Sequence, residues 1–469
     1  MDRARDMLRS GAWLTRERVR LVAVALLIAS VAGFLYLVVT ANGVIDLQGR
    51  PLGTDFSNVY AAGTYVLDGN PEAPFDLAQQ YAREQKIFGA ATPFYGWHYP
   101  PFFLFIAAAL AWMPYWLALA VWQAVTLGLY LLAIRAIFQS SFRGAPTGPA
   151  FGRPDDRLRA SPQSITAKLK GPTLTSRFRA SWLWISALGR CAPSAGMTAN
   201  DPLWLLLAVA FPAVLINVGH GQNGFLTAAL LGAALVKLDR TPLVAGILFG
   251  LLAYKPQFGL MIPIVLAASG RWRCFAAAAA TVLLLTVATT LAFGPHVWQA
   301  FLDSTRFTRL VALEQGNTGW YKIQSAFAWA RMWGAPIPLA YALQGALVVA
   351  LGAALIWLWR GAASYPLKAA ALCLAAILAT PYTFDYDMVV LAPAIAFLAA
   401  DGLTRGFGPW EKTALATLWL TPLVARSVAH VTLIPLGVPA MLAIFILLLR
   451  RSTLHLALPT AFSGAFLLK

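Results

Sequence analysis

Six short polar turns carry the residues of this chain that could do chemistry, and each turn lies beside strongly apolar segments. The turns are Gly53-Thr54-Asp55-Phe56, Trp97-His98-Tyr99-Pro100-Pro101, residues 217–223, Tyr254-Lys255-Pro256-Gln257, residues 381–387, and the pair Arg426 and His430. Carboxylates and imidazoles can accept protons, and a lysine can stabilise negative charge. Ionisable residues at membrane depth are functional candidates by default. We therefore expect these turns to build one site.

The composition places these turns in a membrane protein. The chain has 469 residues, of which 59% are hydrophobic and only 12% are charged. An ordinary soluble protein is ~25% charged, so a soluble globular enzyme and a disordered protein are excluded. The cysteines Cys191, Cys274 and Cys373 are too few and too scattered for a disulfide framework or a zinc site. The net charge of +17 would suit a nucleic-acid binder, but the hydrophobicity argues against one.

Twelve apolar segments are candidate membrane spans, because a helix needs about 20 apolar residues to cross ~30 Å of hydrocarbon. They are residues 21–40, 115–138, 203–218, 222–237, 241–254, 257–268, 274–293, 337–359, 367–380, 388–400, 412–427 and 432–449. With the N-terminus inside, the inside segments hold 27 of the Lys and Arg residues and the outside segments 9. The positive-inside rule therefore predicts cytoplasmic N- and C-termini and polar turns on the outer side. The predicted fold is an all-α polytopic membrane protein with about 12 transmembrane helices.

Three apolar stretches are too short for an ordinary crossing. Residues 99–113 are interpreted as a re-entrant or surface-lying helix, because a full crossing would place the basic residues 139–201 outside. Residues 241–254 and 257–268 flank the polar turn 254–257, so either the two helices start deep or the turn is recessed into the membrane. Irregular backbone at that depth must line a protein-enclosed or watery cavity.

The loops divide the chain into five segments: a basic cytoplasmic N-terminus (1–20), a first span with an outer loop and a second span (21–138), a basic loop (139–201), the remaining membrane core with an outer loop at 294–336 (202–451), and a C-terminal tail (452–469). The long first periplasmic loop, 41–98, mixes apolar and charged residues and predicts amphipathic surface helices. The basic loop is expected to be disordered and attracted to anionic lipid, with a docking segment as the alternative.

Each polar turn also has a plain structural explanation. Asp55 can cap a surface helix, since Asp is a favoured N-cap. His220 and Asn223 can satisfy helix ends. Lys255 can extend along the protein to a lipid phosphate. Asp385 and Asp387 of the DxD motif can cap a helix or accept a hydrogen bond from a tyrosine.

The order of these motifs resembles that of the GT-C type membrane glycosyltransferases, which use polyprenyl phosphate sugars as donors. The chain most resembles glycosyltransferase family 87, the DUF2029 group that includes mycobacterial α-mannosyltransferases. The matching motifs are Thr54-Asp55-Phe56, Tyr60-Ala61-Ala62, residues 67–71, Tyr99-Pro100-Pro101, Met113-Pro114, Gly221-Gln222-Asn223 and residues 253–257. The resemblance covers most of residues 21–400, and the basic loop 139–201 departs from the family pattern.

The resemblance implies a hexosyltransferase with a polyprenyl phosphate sugar as donor and an envelope glycolipid or glycan as acceptor. The sugar it favours is mannose, and the place it implies is the outer face of a bacterial cytoplasmic membrane. It also implies an inverting reaction, in which the acidic residue of the first outer loop, here Asp55, is catalytic. Such a reaction needs a base near the acceptor hydroxyl and a positive group at the departing phosphate.

The other polar residues are assigned to substrate binding. Lys255 is the first candidate for the donor phosphate, and Arg426 and Lys322 are further outer-side cations. Sugar or acceptor contacts are expected from Phe56, Tyr60, His98, Tyr99, His220, Gln222, Asn223, Gln257, Asp385 and Asp387. The scheme needs no cofactor and no metal, because the lysine supplies the positive charge; the DxD motif keeps a divalent metal as the alternative. The expected partners are the donor, the acceptor and membrane lipids, without nucleic acid.

A secondary transporter or lipid-linked glycan flippase is the main alternative function. Twelve spans, cytoplasmic termini and a discontinuous helix near Lys255 suit a transporter. Transporters, however, place their ionisable residues near mid-membrane at a repeat interface, whereas the acids here lie at outer ends and no internal repeat is obvious. This placement favours the enzyme. A non-catalytic partner of an envelope complex is a third possibility.

Overall fold

A computed structural model describes residues 2–143 and 201–457. Within these ranges the chain is helical, with connecting turns and three isolated β-bridges but no strand. The expectations for residues 144–200, with Cys191, and for the tail beyond residue 457 lie outside the described residues.

The helices are α1 (Asp2–Ser10), α2 (Arg16–Thr40), α3 (Phe56–Leu67), α4 (Leu77–Phe88), α5 (Leu104–Ala111), α6 (Tyr115–Arg143), α7 (Pro202–Val209), α8 (Pro212–His220), α9 (Gly224–Lys237), α10 (Pro242–Leu251), α11 (Met261–Ala268), α12 (Trp272–Phe293), α13 (His296–Thr308), α14 (Ala326–Met332), α15 (Ile337–Arg360), α16 (Tyr365–Leu378), α17 (Leu391–Arg405), α18 (Glu411–Thr432) and α19 (Gly437–Ala457). Short 3-10 turns lie at Ala73–Phe75, Pro101–Phe103, Leu252–Tyr254, Pro256–Phe258, Trp320–Lys322 and Asp385–Val390, and a π-helical segment at Arg309–Glu314.

Six described helical segments are long and apolar enough to cross a membrane, and a bent pair brings the number to seven. The six are Arg16–Thr40, Tyr115–Ser141, Trp272–Phe293, Ile337–Arg360, Asp385–Arg405 and Glu411–Thr432, and the bent pair is α7 with α8 at 49°. The predicted count of twelve is therefore not confirmed.

Two of the predicted spans that are not confirmed correspond to short helices with many buried residues. Both α9 and α16 contain 14 residues, which corresponds to about 21 Å of helix. All but three residues of α16 are buried inside the protein, whereas α2 buries only Ala23. A helix that is apolar all round can face lipid or other helices, so hydropathy alone counted interior helices as full crossings.

The helices α3 and α4 of the loop at residues 41–98 pack against each other, and α3 packs on α5. A Cβ added at Gly63 of α3 would lie 2.1 Å from the Ala107 carbonyl oxygen of α5. The glycine therefore allows close contact between the two backbones and fixes the start of α3, where Asp55 lies. Residues 101–111 are a 3-10 turn followed by the eight-residue α5, too short to cross a bilayer.

Two broken segments bring further polar turns to the same end of α3. Pro212 begins α8 after the bend from α7, consistent with the inability of proline to continue a helix. Residues 252–258 are two 3-10 turns between α10 and α11, with Lys255 at the joint. The predicted break at Lys255 is thus present.

Candidate active site

Asp55 lies at the N-cap position of α3, but its carboxylate does not cap the helix. The Oδ2 atom instead accepts a hydrogen bond of 2.7 Å from Nε2 of Gln222. The backbone N–H of Asp55 donates to the His220 carbonyl oxygen at 3.0 Å. The side chain is 21% exposed. The capping alternative is therefore wrong, and the carboxylate is anchored on one oxygen and accessible.

The turn that follows α8 holds both partners of this carboxylate. Gly221 has φ +63°, and a Cβ there would lie 2.6 Å from Cβ of Phe56. Both the left-handed backbone and the close approach favour glycine. His220 Nδ1 lies 2.8 Å from the Thr54 hydroxyl and 3.9 Å from Asp55 Oδ1. The turn therefore places an imidazole and an amide on either side of the Asp55 carboxylate.

Gln222 and Asn223 extend the polar surface inward. The Tyr99 hydroxyl donates to Gln222 Oε1 at 3.3 Å. Asn223 is 2% exposed, and its amide makes no well-aligned hydrogen bond to another described residue, although the Tyr99 hydroxyl lies near it. An unsatisfied buried polar group costs ~1–3 kcal/mol. Asn223 is thus a polar group with bonding capacity left for a ligand.

Lys255 is a buried cation with a single carboxylate partner. Its Nζ donates to Asp387 Oδ1 at 2.7 Å, and the two residues are 5% and 2% exposed. The second oxygen of Asp387 accepts from the Phe384 backbone N–H at 3.1 Å. Lys255 therefore points into the protein, and the alternative in which it extends to a lipid phosphate is wrong.

The other carboxylate of the DxD motif, Asp385, forms an ion pair with Arg426. Arg426 Nε lies 2.5 Å from Asp385 Oδ2. Asp385 is 1% exposed, but 39% of the Arg426 side chain is accessible. The terminal guanidinium nitrogens have no hydrogen bond to any described residue. Each DxD carboxylate thus holds one cation, and within the described ranges no three His, Cys, Asp or Glu side chains could together hold a metal ion.

Tyr386 connects the Asp55 side of the site to the Lys255 side. The centre of its ring is 5.5 Å from Lys255 Nζ and 5.8 Å from the centre of the His220 ring. The imidazole and the buried cation therefore border one aromatic side chain, and the Asp55 carboxylate lies next to that imidazole. This arrangement combines a group that can accept a proton with groups that can stabilise a developing negative charge.

The loop at residues 294–336 covers this site from one side. A β-bridge joins Ile323 to Phe384, and the Gln324 N–H donates to the Thr383 carbonyl oxygen at 2.7 Å. Lys322 precedes this bridge. It contacts the ring of Tyr321, which packs edge-on against His430 at 4.9 Å. Lys322 and His430 thus lie together, and His430 is one helical turn from Arg426.

Two sequence-predicted sugar contacts support the site from behind instead of lining it. Phe56 is fully buried and packs on Tyr115 with ring centres 5.6 Å apart. The Tyr60 hydroxyl donates to the Met113 carbonyl oxygen at 2.9 Å. The structure therefore does not bring these two rings to the Asp55 carboxylate. Gln257 is half-buried in the turn after Lys255 and has no side-chain hydrogen bond within the described residues.

His98 lies next to the site in a less polar setting. Its Nδ1 is 2.9 Å from the Thr308 hydroxyl of α13. Burial lowers the pKa of His98, although the Asp55 carboxylate acts in the opposite direction. The neutral imidazole is therefore the favoured form.

Glu84 is a buried carboxyl group near the site that the sequence interpretation did not single out. It is fully buried, and its oxygens accept from the backbone N–H groups of Tyr95 and Gly96 at 3.2 and 3.3 Å. Burial raises the pKa of Glu84 to about 7, and the Asp55 carboxylate contributes in the same direction. A sequence signal exists, because the buried residues of α4 are Gln80, Glu84 and Phe88, spaced four apart.

Comparisons with known proteins bear on this geometry. The model of glycosyltransferase family 87 matches residues 97–381. Curated proteins and solved structures gave no match. The matched range contains His98, the turn after α8 and Lys255, while Asp55 and Arg426 lie outside it. Since the match covers more than half of a chain that contains several apolar helices long enough to span a membrane, the protein belongs to glycosyltransferase family 87 and is a membrane glycosyltransferase.

Proposed function

We propose that this transferase moves a hexose, with mannose preferred, from a polyprenyl phosphate sugar to a glycolipid or glycan acceptor. The observation that carries the proposal is the uncapped Asp55 carboxylate, which lies across Tyr386 from the buried Lys255. Family membership supports the transfer of a sugar, and the distribution of basic residues supports an active site on the outer face of a bacterial cytoplasmic membrane.

In the proposed reaction, Asp55 acts as general base towards an acceptor hydroxyl. The acceptor oxygen forms a bond to the anomeric carbon as its proton passes to the carboxylate. The bond from the anomeric carbon to the phosphate oxygen breaks, and its electron pair leaves with the polyprenyl phosphate. Because the two oxygens lie on opposite faces of the sugar, a β-linked donor gives an α-linked product. Gln222 binds Oδ2 of Asp55, so Oδ1 is the oxygen available for the proton.

Arg426 and Lys255 divide the stabilisation of the leaving phosphate in this proposal. Arg426 uses only Nε for Asp385, so its two terminal nitrogens are available for bidentate contact with phosphate. Lys255 has two further N–H groups beyond the one that binds Asp387. Lys322 is a third cation near the entrance. The buried setting of Lys255 strengthens its interaction relative to water.

The first experiment is transfer in proteoliposomes, with undecaprenyl phosphate mannose as donor and an envelope lipid extract as acceptor. We expect Asp55→Asn to lower the rate of transfer by ~10²–10⁴-fold, because loss of a general base has effects of that size. The matched control is Asp68→Asn, which removes an exposed carboxylate paired with Arg83 on the same loop. This control should retain transfer.

Two outcomes would contradict the proposal. Full turnover by Asp55→Asn would remove that residue from the mechanism. Movement of the lipid-linked sugar across the bilayer without transfer would support the flippase alternative. Mass spectrometry of envelope glycolipids from cells with and without the protein would identify the product.

A further inference from the structure

A cavity of about 200 Å³ lies beside the proposed active site, between α13 and the turns at 95–99 and 380–384. Its polar lining consists of His98, Ser304, Thr305, Thr308, Arg309 and Tyr382. We call it the His98 cavity. None of the steps proposed above uses its α13 residues.

The walls of the His98 cavity lead to Asp55 from two directions. On one side, His98 precedes Tyr99, whose hydroxyl donates to Gln222, the residue that binds Asp55. On the other side, Tyr382 packs edge-on against Phe384 at 4.8 Å, and Phe384 stacks on Tyr386 at 5.3 Å. A ligand in the cavity would therefore lie next to the site.

Two hydroxyls of α13 have their hydrogens committed to the helix. Ser304 Oγ donates to the Phe301 carbonyl oxygen at 2.8 Å, and Thr305 Oγ1 donates to the Leu302 carbonyl oxygen at 2.7 Å. A hydroxyl has one hydrogen and two lone pairs, so both groups can only accept from a ligand. Within the described residues, the Tyr382 hydroxyl has no hydrogen-bond partner, and it can donate as well as accept.

Arg309 is more exposed to solvent than Arg426, so water and salt screen its charge more strongly. Its Nε lies 3.4 Å from Glu314 Oε1, and 65% of its side chain is exposed. A phosphate offers only acceptors, and Ser304 and Thr305 have no hydrogen left to donate to it. A polyhydroxylated ring offers both donors and acceptors and matches the lining.

The size and backbone of the cavity agree with this chemistry. A volume of about 200 Å³ equals that of roughly seven water molecules in the liquid, which is room for one sugar ring. Arg309 begins a π-helical segment, Arg309–Glu314, and such segments occur frequently at functional sites.

We propose that the His98 cavity binds a neutral sugar ring of the acceptor. This inference rests on the proposed function, because it takes Asp55 as the base towards a hydroxyl of that acceptor. The ring donates hydrogen bonds to Ser304 and Thr305 and exchanges one with Tyr382. The donor phosphate binds elsewhere, at Arg426 and Lys255.

The test measures binding directly by saturation-transfer difference NMR on the full-length protein in nanodiscs. The probes are a panel of methyl hexosides and methyl pentosides, with inorganic phosphate as competitor. We expect Thr305→Trp to raise the Kd of the bound glycoside at least 10-fold by filling the cavity. The control is Leu302→Trp, an exposed position on the same helix that does not line the cavity, and it should keep the wild-type Kd.

A second variant tests the cavity with a smaller change, in case Thr305→Trp fails to fold. Tyr382→Phe keeps the ring packing and removes only the hydroxyl, and we expect it to raise the Kd about 3- to 10-fold. The inference is overturned if the wild type binds no glycoside of the panel, if Thr305→Trp binds as well as the wild type, or if phosphate competes.

Kinetics separate this inference from the proposed function. In the proteoliposome assay, Thr305→Trp should raise the KM for the acceptor and leave the KM for the donor unchanged. A higher donor KM with an unchanged acceptor KM would assign the cavity to the donor and overturn the inference. Absence of transfer by the wild type would contradict the proposed function, while the glycoside titration would still decide whether the cavity binds sugar.

Discussion

Two clusters of buried charges lie towards opposite ends of α2, and they differ in how much of their side chains is accessible. The site cluster, with Asp55, Lys255 and Arg426, lies beyond the end of α2. The Asp401 cluster lies near its start, because Trp13 Nε1 donates to the Thr413 hydroxyl of α18 at 3.0 Å. Both clusters pair carboxylates with basic side chains inside an apolar protein.

The Asp401 cluster is the less accessible of the two, although Asp401 Oδ2 and Arg451 Nε have no hydrogen-bond geometry to another described residue. Asp401 lies 2.7 Å from Arg451, 2.8 Å from the Ser364 hydroxyl and 3.6 Å from Arg405. Arg451 also binds Glu411 at 2.5 Å. Its two acids and Arg451 are 1–16% exposed at the side chain.

The site cluster is open by contrast. The side chains of Asp55, His220 and Arg426 are 21%, 27% and 39% exposed, and the amide of Asn223 is unsatisfied. Burial of a charged pair is therefore common to a structural cluster and a candidate site. The greater exposure of its side chains distinguishes the candidate site.

The largest expected effect comes from breaking the Lys255–Asp387 pair. Lys255→Met leaves Asp387 as an uncompensated buried carboxylate, which costs about 3–5 kcal/mol of unfolding free energy. Transfer should also fall at least 10-fold, because the leaving phosphate loses a cation. The measurements are thermal unfolding in detergent and transfer in proteoliposomes.

A double variant separates the two roles of Lys255. Lys255→Met with Asp387→Asn removes both charges and keeps an acceptor for the Phe384 N–H. Stability should return to within about 1 kcal/mol of the wild type, since an uncharged pair is often as stable as a buried ion pair. Transfer should stay low. Recovery of transfer would show that Lys255 is only structural.

A substitution in the Asp401 cluster should lower the stability of the protein but leave sugar transfer unchanged. Asp401→Asn leaves Arg451 with one carboxylate partner and should cost about 3 kcal/mol, with transfer per folded molecule within two-fold of the wild type. Arg405→Gln is the matched control. Its side chain is 44% exposed, so its loss should cost less than about 1 kcal/mol. Loss of transfer by folded Asp401→Asn would remove the distinction between the clusters.

We expect the buried Glu84 carboxyl group to have a smaller, pH-dependent effect on the free energy of unfolding. Its pKa of about 7 in the folded protein lies above the ordinary 4.5, so the folded state binds more protons between these values. Stability should therefore fall as pH rises from about 4.5 to 7, then stay level. Glu84→Gln should remove this slope and, above pH 7, unfold with a free energy up to about 3 kcal/mol higher than the wild type.

Unfolding at pH 5, 6, 7 and 8 checks the Glu84 prediction. Glu72→Gln, which changes an exposed carboxylate of the same loop, should keep the wild-type slope. An unchanged slope in Glu84→Gln would show that Glu84 is not the titrating group.

Sequence patterns predicted the class of fold and the turns of the site better than the number of spans. Long apolar runs such as α2 and α15 were located correctly, because hydropathy over 20 residues reports the length of a bilayer crossing. The short helices α9 and α16 were counted as crossings, because the same hydropathy arises from burial against protein. The role of Glu84 was missed because its partners are backbone N–H groups 11 and 12 residues away.

The sequence by itself determined that this chain is a helical membrane protein with Asp55 and Lys255 among the polar turns between apolar segments. Only the tertiary structure decided which residues pair. Asp55 meets Gln222 across 167 positions, and Lys255 meets Asp387 across 132. Such pairs depend on how whole helices pack, whereas local sequence encodes periodicity and length. The packing also left the Tyr382 hydroxyl without a hydrogen-bond partner among the described residues, and this group is one of those from which the binding of sugar is inferred.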